Sequence, residues 1–248
     1  MMMPVLFVGH GSPMNAVEDN ELPRKWREIS ASMPIPKCIL CVSAHWMAGD
    51  TFTSDAEEPQ QIYDMYGFPK ELYDLKYEPP GSRFYAGKIQ KQLGIDINND
   101  WGIDHGTWSV LTHMYPEADI PVVQVSLDMT KPYAEHYAIG QKLRQLREEG
   151  VLIIGSGNVV HNLRLIDWRR EGGFAWAYEF DHYIRDCILR NDHKGVMDHP
   201  LSPAVPTTDH FLPLLYVLGA SNIIDKVEVF NQVCQLGSLS MTGYLFYR

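Results

Sequence analysis

Short runs of apolar residues recur along the chain, separated by longer stretches in which polar residues predominate. Their length and their lack of strict alternation are typical of buried β-strands that are covered on both faces. Strands are therefore predicted at residues 5–8, 38–43, 122–127, 151–154 and 227–230, with a closing strand at 241–247.

Between these runs, apolar residues recur at helical spacing. In the clearest case Tyr133, Tyr137 and Leu143 lie roughly on one face, and Gly150 marks the expected end of the helix. Helices are predicted at residues 132–149, 174–189 and 210–218. Strands that alternate with helices predict an α/β fold, in which a central, mostly parallel sheet is covered by helices on both faces. The sequence shows no linker and no repeat, so we expect a single domain that spans residues 1–248.

Three histidines, His10, His45 and His161, each lie just past the end of a predicted strand. In α/β folds the functional side chains lie beyond the carboxyl ends of the strands, so we expect these rings to converge at one edge of the sheet. A fourth, His210, opens the last predicted helix next to Asp209, whose carboxylate is expected either to orient the ring or to cap the helix. The group indicates a candidate histidine-rich metal site.

Composition and charge narrow the classes of partner. The chain has 248 residues and a net charge of −10, which disfavours nucleic acid and anionic membrane surfaces as partners. No apolar run is long enough to span a bilayer, and the first residues carry neither a basic stretch nor a signal cleavage site. These features predict a cytoplasmic protein that binds neither nucleic acid nor membrane.

Cys38 and Cys41 form a C-x-x-C pattern, which can signal zinc binding or redox chemistry. Here the pair lies within a predicted strand, where positions three apart point to opposite faces and cannot easily share a ligand. We therefore expect free, buried thiols, as is usual in a reducing compartment.

The segment at residues 57–82 is rich in Tyr and Pro and has little periodicity. Long segments of this kind in a compact domain are usually functional, so it is predicted to form a wall or lid over the site; the alternative is an ordinary surface excursion.

The other histidines are expected to have separate roles. His105 precedes a helical pattern and is a candidate for lining the site. Histidines within helical patterns are expected at the surface or at an interface, and those in polar turns are expected to be solvated or bonded within the turn. The first group comprises His113, His136 and His182, and the second comprises His193 and His199.

Rival chemistries find less support in the sequence. The histidine spacings match no local zinc motif. The chain carries no serine-hydrolase elbow, no P-loop and no dinucleotide-binding glycine pattern after a strand.

Taken together, the histidine segments resemble the class III extradiol dioxygenases related to protocatechuate 4,5-dioxygenase, and within them the DOPA 4,5-extradiol dioxygenase group of bacteria and plants. The matching pieces follow the family's order and extend over nearly the whole chain. They are GHGSPMN (9–15), SAHW (43–46), GFP (67–69), DHGTW (104–108), YPEADIPVVQVS (115–126), SGNVVHNLR (156–164) and HFLPLLYVLGA (210–220).

The resemblance implies roles for the matching residues. His10 and His45 would be metal ligands, and His210 would be the third ligand where the protocatechuate branch has a glutamate. His161 would be a second-sphere acid/base histidine, close enough in such sites to bind the metal as well. His105 would line the dioxygen and substrate side.

The resemblance also implies the cofactor and the reaction. The cofactor would be Fe(II) for activity, while the imidazole ligands would also accept Zn(II). The substrates would be a catechol of the DOPA type and O2.

Two other functions fit parts of this pattern. Metal chelatases also carry His-Gly-Ser after a first strand, although the segments around His45 and His161 match them less well. A non-catalytic binding protein of the same fold is the second alternative, which the presence of all four site histidines disfavours.

Overall fold

The computed structural model describes residues 2–200 and 202–248. The helices are α1 (Glu21–Ser32), α2 (Lys70–Asp74), α3 (Arg83–Leu93), α4 (His105–Met114), α5 (Tyr133–Leu143), α6 (Ala175–Leu189), α7 (His193–Met197) and α8 (Leu212–Ala220). The strands are β1 (Val5–Gly9), β2 (Cys38–Ser43), β3 (Met47–Ala48), β4 (Phe52–Thr53), β5 (Asp96–Ile97), β6 (Val122–Gln124), β7 (Leu127–Asp128), β8 (Val151–Gly157), β9 (Lys226–Phe230), β10 (Cys234–Gln235), β11 (Leu239–Ser240) and β12 (Gly243–Tyr247).

The central sheet has the strand order β6-β2-β8-β1-β12-β9. The first four strands in this order are parallel, and β12 and β9 extend the sheet in antiparallel fashion. The register places Gly9 of β1 opposite Gly157 of β8, and Ser43 of β2 opposite Ser156 of β8. The carboxyl ends of these three strands therefore meet at one edge of the sheet. The predicted mostly parallel α/β sheet is confirmed.

Successive residues of the central strands point to opposite faces and enter two separate cores. From β1, Val5 and Phe7 pack with α5, α6 and α8. Leu6 and Val8 pack on the other face, against α1 and α4. Helices thus cover both faces, which explains why these strands are apolar throughout.

Several element boundaries differ from the predicted ones. The strand predicted at 122–127 ends at Gln124, and the chain then turns to pair β7 with β3. The helix predicted at 132–149 ends at Leu143 and tightens into a 3-10 helix at Arg144–Glu149. Gly150 then adopts φ +91°, the left-handed conformation expected of a terminating glycine.

Helices α1 and α3 and the short α2 and α7 were not among the predicted elements, whereas α4 is the helical pattern noted after His105. Helix α1 does carry sequence signals of a helix. The Asn20 side chain caps it by accepting a hydrogen bond from the Leu22 N–H, and Leu22, Trp26 and Ile29 lie at helical spacing on its buried face.

The cysteine prediction is confirmed. All four cysteines are free and buried. Cys38 packs in the core on the α5 and α8 side of the sheet, whereas Cys41 accepts a hydrogen bond from the Thr107 hydroxyl on the α4 side. Burial raises the pKa of both thiols to about 12, which keeps them protonated.

Among the described residues, no helix combines the length and the apolar character that crossing a membrane requires.

Candidate metal centre

The carboxyl ends of β1 and β2 deliver the first two histidines of the site. His10 directly follows β1, and its N–H donates to the carbonyl of Gly157 at 3.1 Å. His45 follows β2 by two residues, and its N–H donates to the Ser43 hydroxyl at 3.2 Å. The sheet register brings both backbones to the end of β8, so the expected convergence of strand ends is observed for these two residues.

The third histidine is brought in by a close approach of α8 to β8. The strand predicted at residues 151–154 is longer than expected, because β8 continues through Gly155-Ser156-Gly157. A Cβ atom at Gly157 would lie 2.2 Å from the carbonyl oxygen of His210, and one at Gly155 would lie 2.5 Å from that of Pro213. The glycines are therefore needed for packing, and they allow the turn that holds His210 to rest on the strand. His210 precedes α8, which begins at Leu212 rather than at the predicted residue 210.

The three imidazoles meet at one point. The Nε2 atoms of His10 and His45 are 3.2 Å apart. Ring centroids are 5.1 Å apart for His10 and His45, 5.3 Å for His10 and His210, and 5.0 Å for His45 and His210. One nitrogen from each ring lies within 4.8 Å of the other two. The structure thus gathers the three residues that the resemblance implied as ligands.

His10 is held in one tautomer by Ser156. The Ser156 hydroxyl donates to the carbonyl of Gly106 at 2.5 Å, so it can only accept from the Nδ1–H of His10, 3.0 Å away. The Nε2 atom of His10 is therefore left with its lone pair.

A carboxylate takes the same role beside His210, and a second carboxylate lies near His45. Asp209 accepts a hydrogen bond from Nδ1 of His210, and Asp64 faces Nδ1 of His45 at 3.4 Å. Of the two roles expected for Asp209, orienting the ring is observed; α8 has no side-chain cap. A ring whose Nδ1–H is engaged offers Nε2 as the metal-binding atom, the arrangement usual around protein-bound metal ions.

Burial keeps these imidazoles neutral. It lowers the pKa of His10 and of His45 well below the ordinary value, and nearby histidines add to the effect because charged rings would repel each other. Burial also lowers the pKa of His210, although the neighbouring Asp209 opposes the shift. Neutral imidazole is the form that binds a metal ion.

A cation fits the donor set. When the Nδ1–H of His45 is directed at Asp64, the Nε2 atoms of His45 and His10 both carry lone pairs, and they repel one another at 3.2 Å unless a positive group lies between them. Two nitrogens bound to one ion at about 2.1 Å would be separated by roughly 3.0–3.4 Å for the bond angles of octahedral or tetrahedral sites. The observed separation falls within that range.

His161 lies beside this set. Its ring stacks on that of His210, with centroids 3.4 Å apart and planes inclined by 5°. Burial lowers the pKa of His161 to about 3, and the nearby His210 lowers it further, whereas Asp209 raises it. The third strand-end histidine thus also reaches the predicted edge of the sheet.

His105 also lies against the cluster. It is the first residue of α4, and its ring centroid lies 3.9 Å from that of His45 and 5.6 Å from that of His10. The preceding residue, Asp104, caps the helix and accepts a hydrogen bond from the Ser43 hydroxyl at 2.6 Å. Burial, with the charge of Asp64, raises the pKa of Asp104 to about 6.

Asp64 is the site residue that sequence reasoning missed. Its two oxygens accept from the backbone N–H and from Nδ1 of His105, both at 2.9 Å. Burial alone would raise its pKa, but the hydrogen bonds from His105 outweigh it and lower the pKa. Asp64 lies in the Tyr- and Pro-rich segment at 57–82, which was predicted to be a wall or lid. An acidic residue inside a segment without periodicity was the only available signal.

The remaining histidines lie away from the cluster. His136 was expected at the surface or at an interface, and this is wrong: it is fully buried between α5 and α8 and bonded to the Tyr216 hydroxyl at 3.1 Å. His193 was expected to be solvated; it is half-buried and bonded to the Tyr137 hydroxyl.

The positions of the other three histidines are closer to those expected. His182 is exposed, and His199 bonds to the carbonyl of Pro200 within a turn. His113 is half-buried between the Arg27 guanidinium and the carbonyl of Asn15.

Comparisons with known proteins agree with the geometry. The family model described as the catalytic LigB subunit of aromatic ring-opening dioxygenase matches residues 4–247. The 4,5-DOPA dioxygenase extradiol of Escherichia coli (strain K12) is 43% identical over 253 residues, a match that covers 96% of this chain and 93% of that protein. The 4,5-DOPA dioxygenase extradiol of Beta vulgaris is 35% identical over 255 residues, covering 97% and 95%.

A solved structure shows the same fold. The crystal structure of an uncharacterized protein from Escherichia coli K12 superposes with a TM-score of 0.85 at 38% identity, and the match covers 98% of this chain and 99% of that one. Matches of this extent favour a ring-opening dioxygenase over the chelatase and the non-catalytic alternatives. The chain belongs to the LigB family of extradiol, aromatic ring-opening dioxygenases.

Proposed function

We propose that the protein opens the ring of a catechol with dioxygen, and that His10, His45 and His210 hold the Fe(II) ion on which the reaction depends. The observation that carries the proposal is the 3.2 Å separation of the Nε2 atoms of His10 and His45. The third imidazole lies beside this pair with Nδ1 already engaged by Asp209. Three neutral ligands on one side of an ion leave coordination positions open, as in the facial-triad oxygenases.

His161 is proposed to move protons rather than to bind the metal. Lone pairs of ring nitrogens lie in the ring plane, and the planes of His161 and His210 are nearly parallel, 5° apart, with centroids 3.4 Å apart. Two such lone pairs run side by side and do not meet at one ion. His161 is therefore placed next to the ligand set, where it reaches a molecule bound there.

When bound, Fe(II) supplies positions for the two catechol oxygens and for dioxygen, and it favours the ionised catechol. Burial keeps the ring of His161 neutral when the substrate arrives, so its lone pair is available to a catechol proton. Burial also disfavours the charged ring, so a proton held there would be given up again in a later acid step.

His105 is proposed to line the substrate and dioxygen side. Its ring centroid lies 3.9 Å from that of His45, and its Nδ1–H is held by Asp64. Its Nε2 then offers a hydrogen-bond acceptor to a bound catechol.

The substrate proposed is a catechol of the DOPA type. The support is the name shared by the relatives from Escherichia coli and Beta vulgaris, each matched along almost its whole length. Zn(II) would occupy the same ligands without supporting oxygen chemistry, because zinc has no redox activity.

The proposal is tested by loading the metal-free protein anaerobically with Fe(II) or with Zn(II), adding L-DOPA, and then admitting oxygen. We expect a yellow ring-opened product from the iron form alone, with oxygen consumed in equal amount. Equal turnover by the zinc form would contradict the proposed chemistry, and so would absence of product from an iron form shown to contain one iron per chain.

A further inference from the structure

We propose that Asp64 is a positioning residue for ring opening: its carboxylate fixes the tautomer of His105, so that Nε2 of that ring presents a lone pair to the bound catechol. The inference rests on the proposed function, because it assigns His105 to the substrate side of the site.

The geometry of the contact allows one tautomer only. One oxygen of Asp64 accepts the backbone N–H of His105 at 2.9 Å, and the other faces Nδ1 of the same residue at 2.9 Å. A carboxylate has no proton to donate, so Nδ1 carries the hydrogen and Nε2 does not. The two bonds also fix the ring relative to the first turn of α4.

Asp64 is held in place by its own segment. Beside it, the Ile62 N–H donates to the carbonyl of Ile103 at 2.9 Å, and the Trp108 indole N–H donates to the carbonyl of Ile62 at 3.0 Å. The Tyr63 hydroxyl donates to the carbonyl of Leu75 at 2.7 Å. These contacts join the segment at 57–82 to the start of α4. The segment is therefore a fixed wall of the site, and Asp64 is the group through which it acts.

The contact with His45 is secondary. Asp64 faces Nδ1 of His45 at 3.4 Å, longer than its 2.9 Å bond to His105. His45 is also positioned by its backbone bond to Ser43. Removing the carboxylate is thus expected to disturb His105 first and the ligand set little.

The substitution Asp64→Asn gives a specific readout. The amide has one acceptor oxygen, and the backbone N–H of His105 needs it. The NH2 group then faces Nδ1 and donates to it, which moves the ring proton to Nε2. We expect long-range ¹H–¹⁵N spectra of the zinc-loaded protein to show His105 protonated at Nδ1 in the wild type and at Nε2 in Asp64→Asn. The signal is assigned by its loss in His105→Gln.

Binding and turnover follow from the tautomer. Outer partners of this kind are typically worth about 10–100-fold. We expect Asp64→Asn to slow single-turnover ring opening by roughly that factor and to weaken catechol binding to the zinc form, while metal content and thermal midpoint stay close to the wild type. The double variant Asp64→Asn/His105→Gln is expected to be no slower than His105→Gln alone, because both changes remove the same interaction.

The matched control is Asp74→Asn. Asp74 lies in the same segment, but its side chain is 58% exposed and pairs with Lys70 at the surface. This variant is expected to match the wild type in all measurements.

Three results would overturn the inference. They are an unchanged His105 tautomer in Asp64→Asn, additive effects of the two single changes, or metal loss as severe as in His45→Ala, which would mean that Asp64 acts through the ligand. The proposed function fails separately, when the wild-type protein itself neither binds catechol nor opens its ring.

Discussion

The two ends of the central sheet differ in how their buried polar groups are paired. At the amino ends of β1 and β8, Arg147 and Asp225 form an ion pair at 2.6 Å with both side chains fully buried. The same guanidinium also donates to the carbonyls of Met3 and Ala220. At the carboxyl ends, the Nε2 atoms of the neutral His10 and His45 rings face each other 3.2 Å apart.

The difference separates a structural cluster from a functional one. A buried charge that faces an opposite charge and makes extra hydrogen bonds is electrically neutral as a pair and needs no bound ion. A group of neutral lone-pair donors pointing at one another is complete only with a cation. Sequence positions that violate the usual rules of burial tend to mark function.

Helix α8 joins the two ends. Its first turn follows His210, and its last residue, Ala220, accepts a hydrogen bond from Arg147. Changes at either end are therefore expected to be separable, with metal binding lost at one and stability lost at the other.

The largest effect is expected from His10→Ala or His45→Ala. Changes to outer partners alone typically cost about 10–100-fold in metal affinity, and loss of a direct ligand should exceed that. We expect nearly complete loss of bound iron and of turnover, with the fold retained. Iron content and circular dichroism check this. His182→Ala, which changes an exposed histidine, is the control and should keep its iron.

The next effect concerns His161. His161→Ala or His161→Gln should lose about 10²–10⁴-fold in turnover, the usual contribution of a general acid or base, while keeping most of the iron. Iron content and single-turnover rate are measured on the same preparations. If His161→Ala empties the site as fully as His10→Ala does, His161 is a ligand, and His105 becomes the next acid/base candidate.

At the other end, Arg147→Met should lower the free energy of unfolding by about 3–5 kcal/mol, because Asp225 loses its buried partner. The contact that remains, with Nε of Arg248 at 3.5 Å, is longer and partly exposed. The double variant Arg147→Met/Asp225→Leu should recover much of the loss. Urea unfolding measures both, and iron per folded chain should not change. If Arg147→Met were as stable as the wild type, the Arg147–Asp225 pair would not be a structural cluster.

A smaller effect is expected from pH through His136, a buried histidine away from the site. Burial lowers its pKa from 6.5 to about 4 in the folded protein. Above pH 6.5 the group is neutral in both states and contributes nothing. As pH falls from 6.5 towards 4, only the unfolded chain takes up the proton, so stability of the metal-free protein falls, by roughly 2–3 kcal/mol from this group. His136→Asn should flatten that slope; an unchanged slope would exclude His136 as its source.

The sequence predicted the parts of the site that the sheet fixes. His10 and His45 follow apolar strands, and parallel strands end at a common edge, so their convergence follows from the pattern of the chain. The strand at 151–154 was predicted too short because glycines such as Gly155 and Gly157 are usual in turns, whereas here they make room for α8. A glycine needed for close packing and one needed for a turn look alike in the sequence.

The parts carried by irregular segments were not predictable in the same way. His210 was assigned a ligand role only through the resemblance to a known family, because its turn before α8 is placed by tertiary packing. Asp64 was missed altogether, because its segment has no periodicity from which to place a side chain. The prediction for His136 was wrong because this polar residue lies on the face of α5 that α8 covers. It interrupts an otherwise apolar face, so nothing in the sequence indicated that it would be buried.

The central claim is that three histidines hold one metal ion, and anomalous diffraction at the zinc edge from crystals of the zinc-loaded protein tests it most directly. The account predicts a single strong peak at roughly 2.0–2.2 Å from Nε2 of His10, His45 and His210. His161 should remain stacked on His210 outside the coordination shell. A peak that lacks any one of the three nitrogens, or a loaded protein whose zinc lies elsewhere, would contradict it.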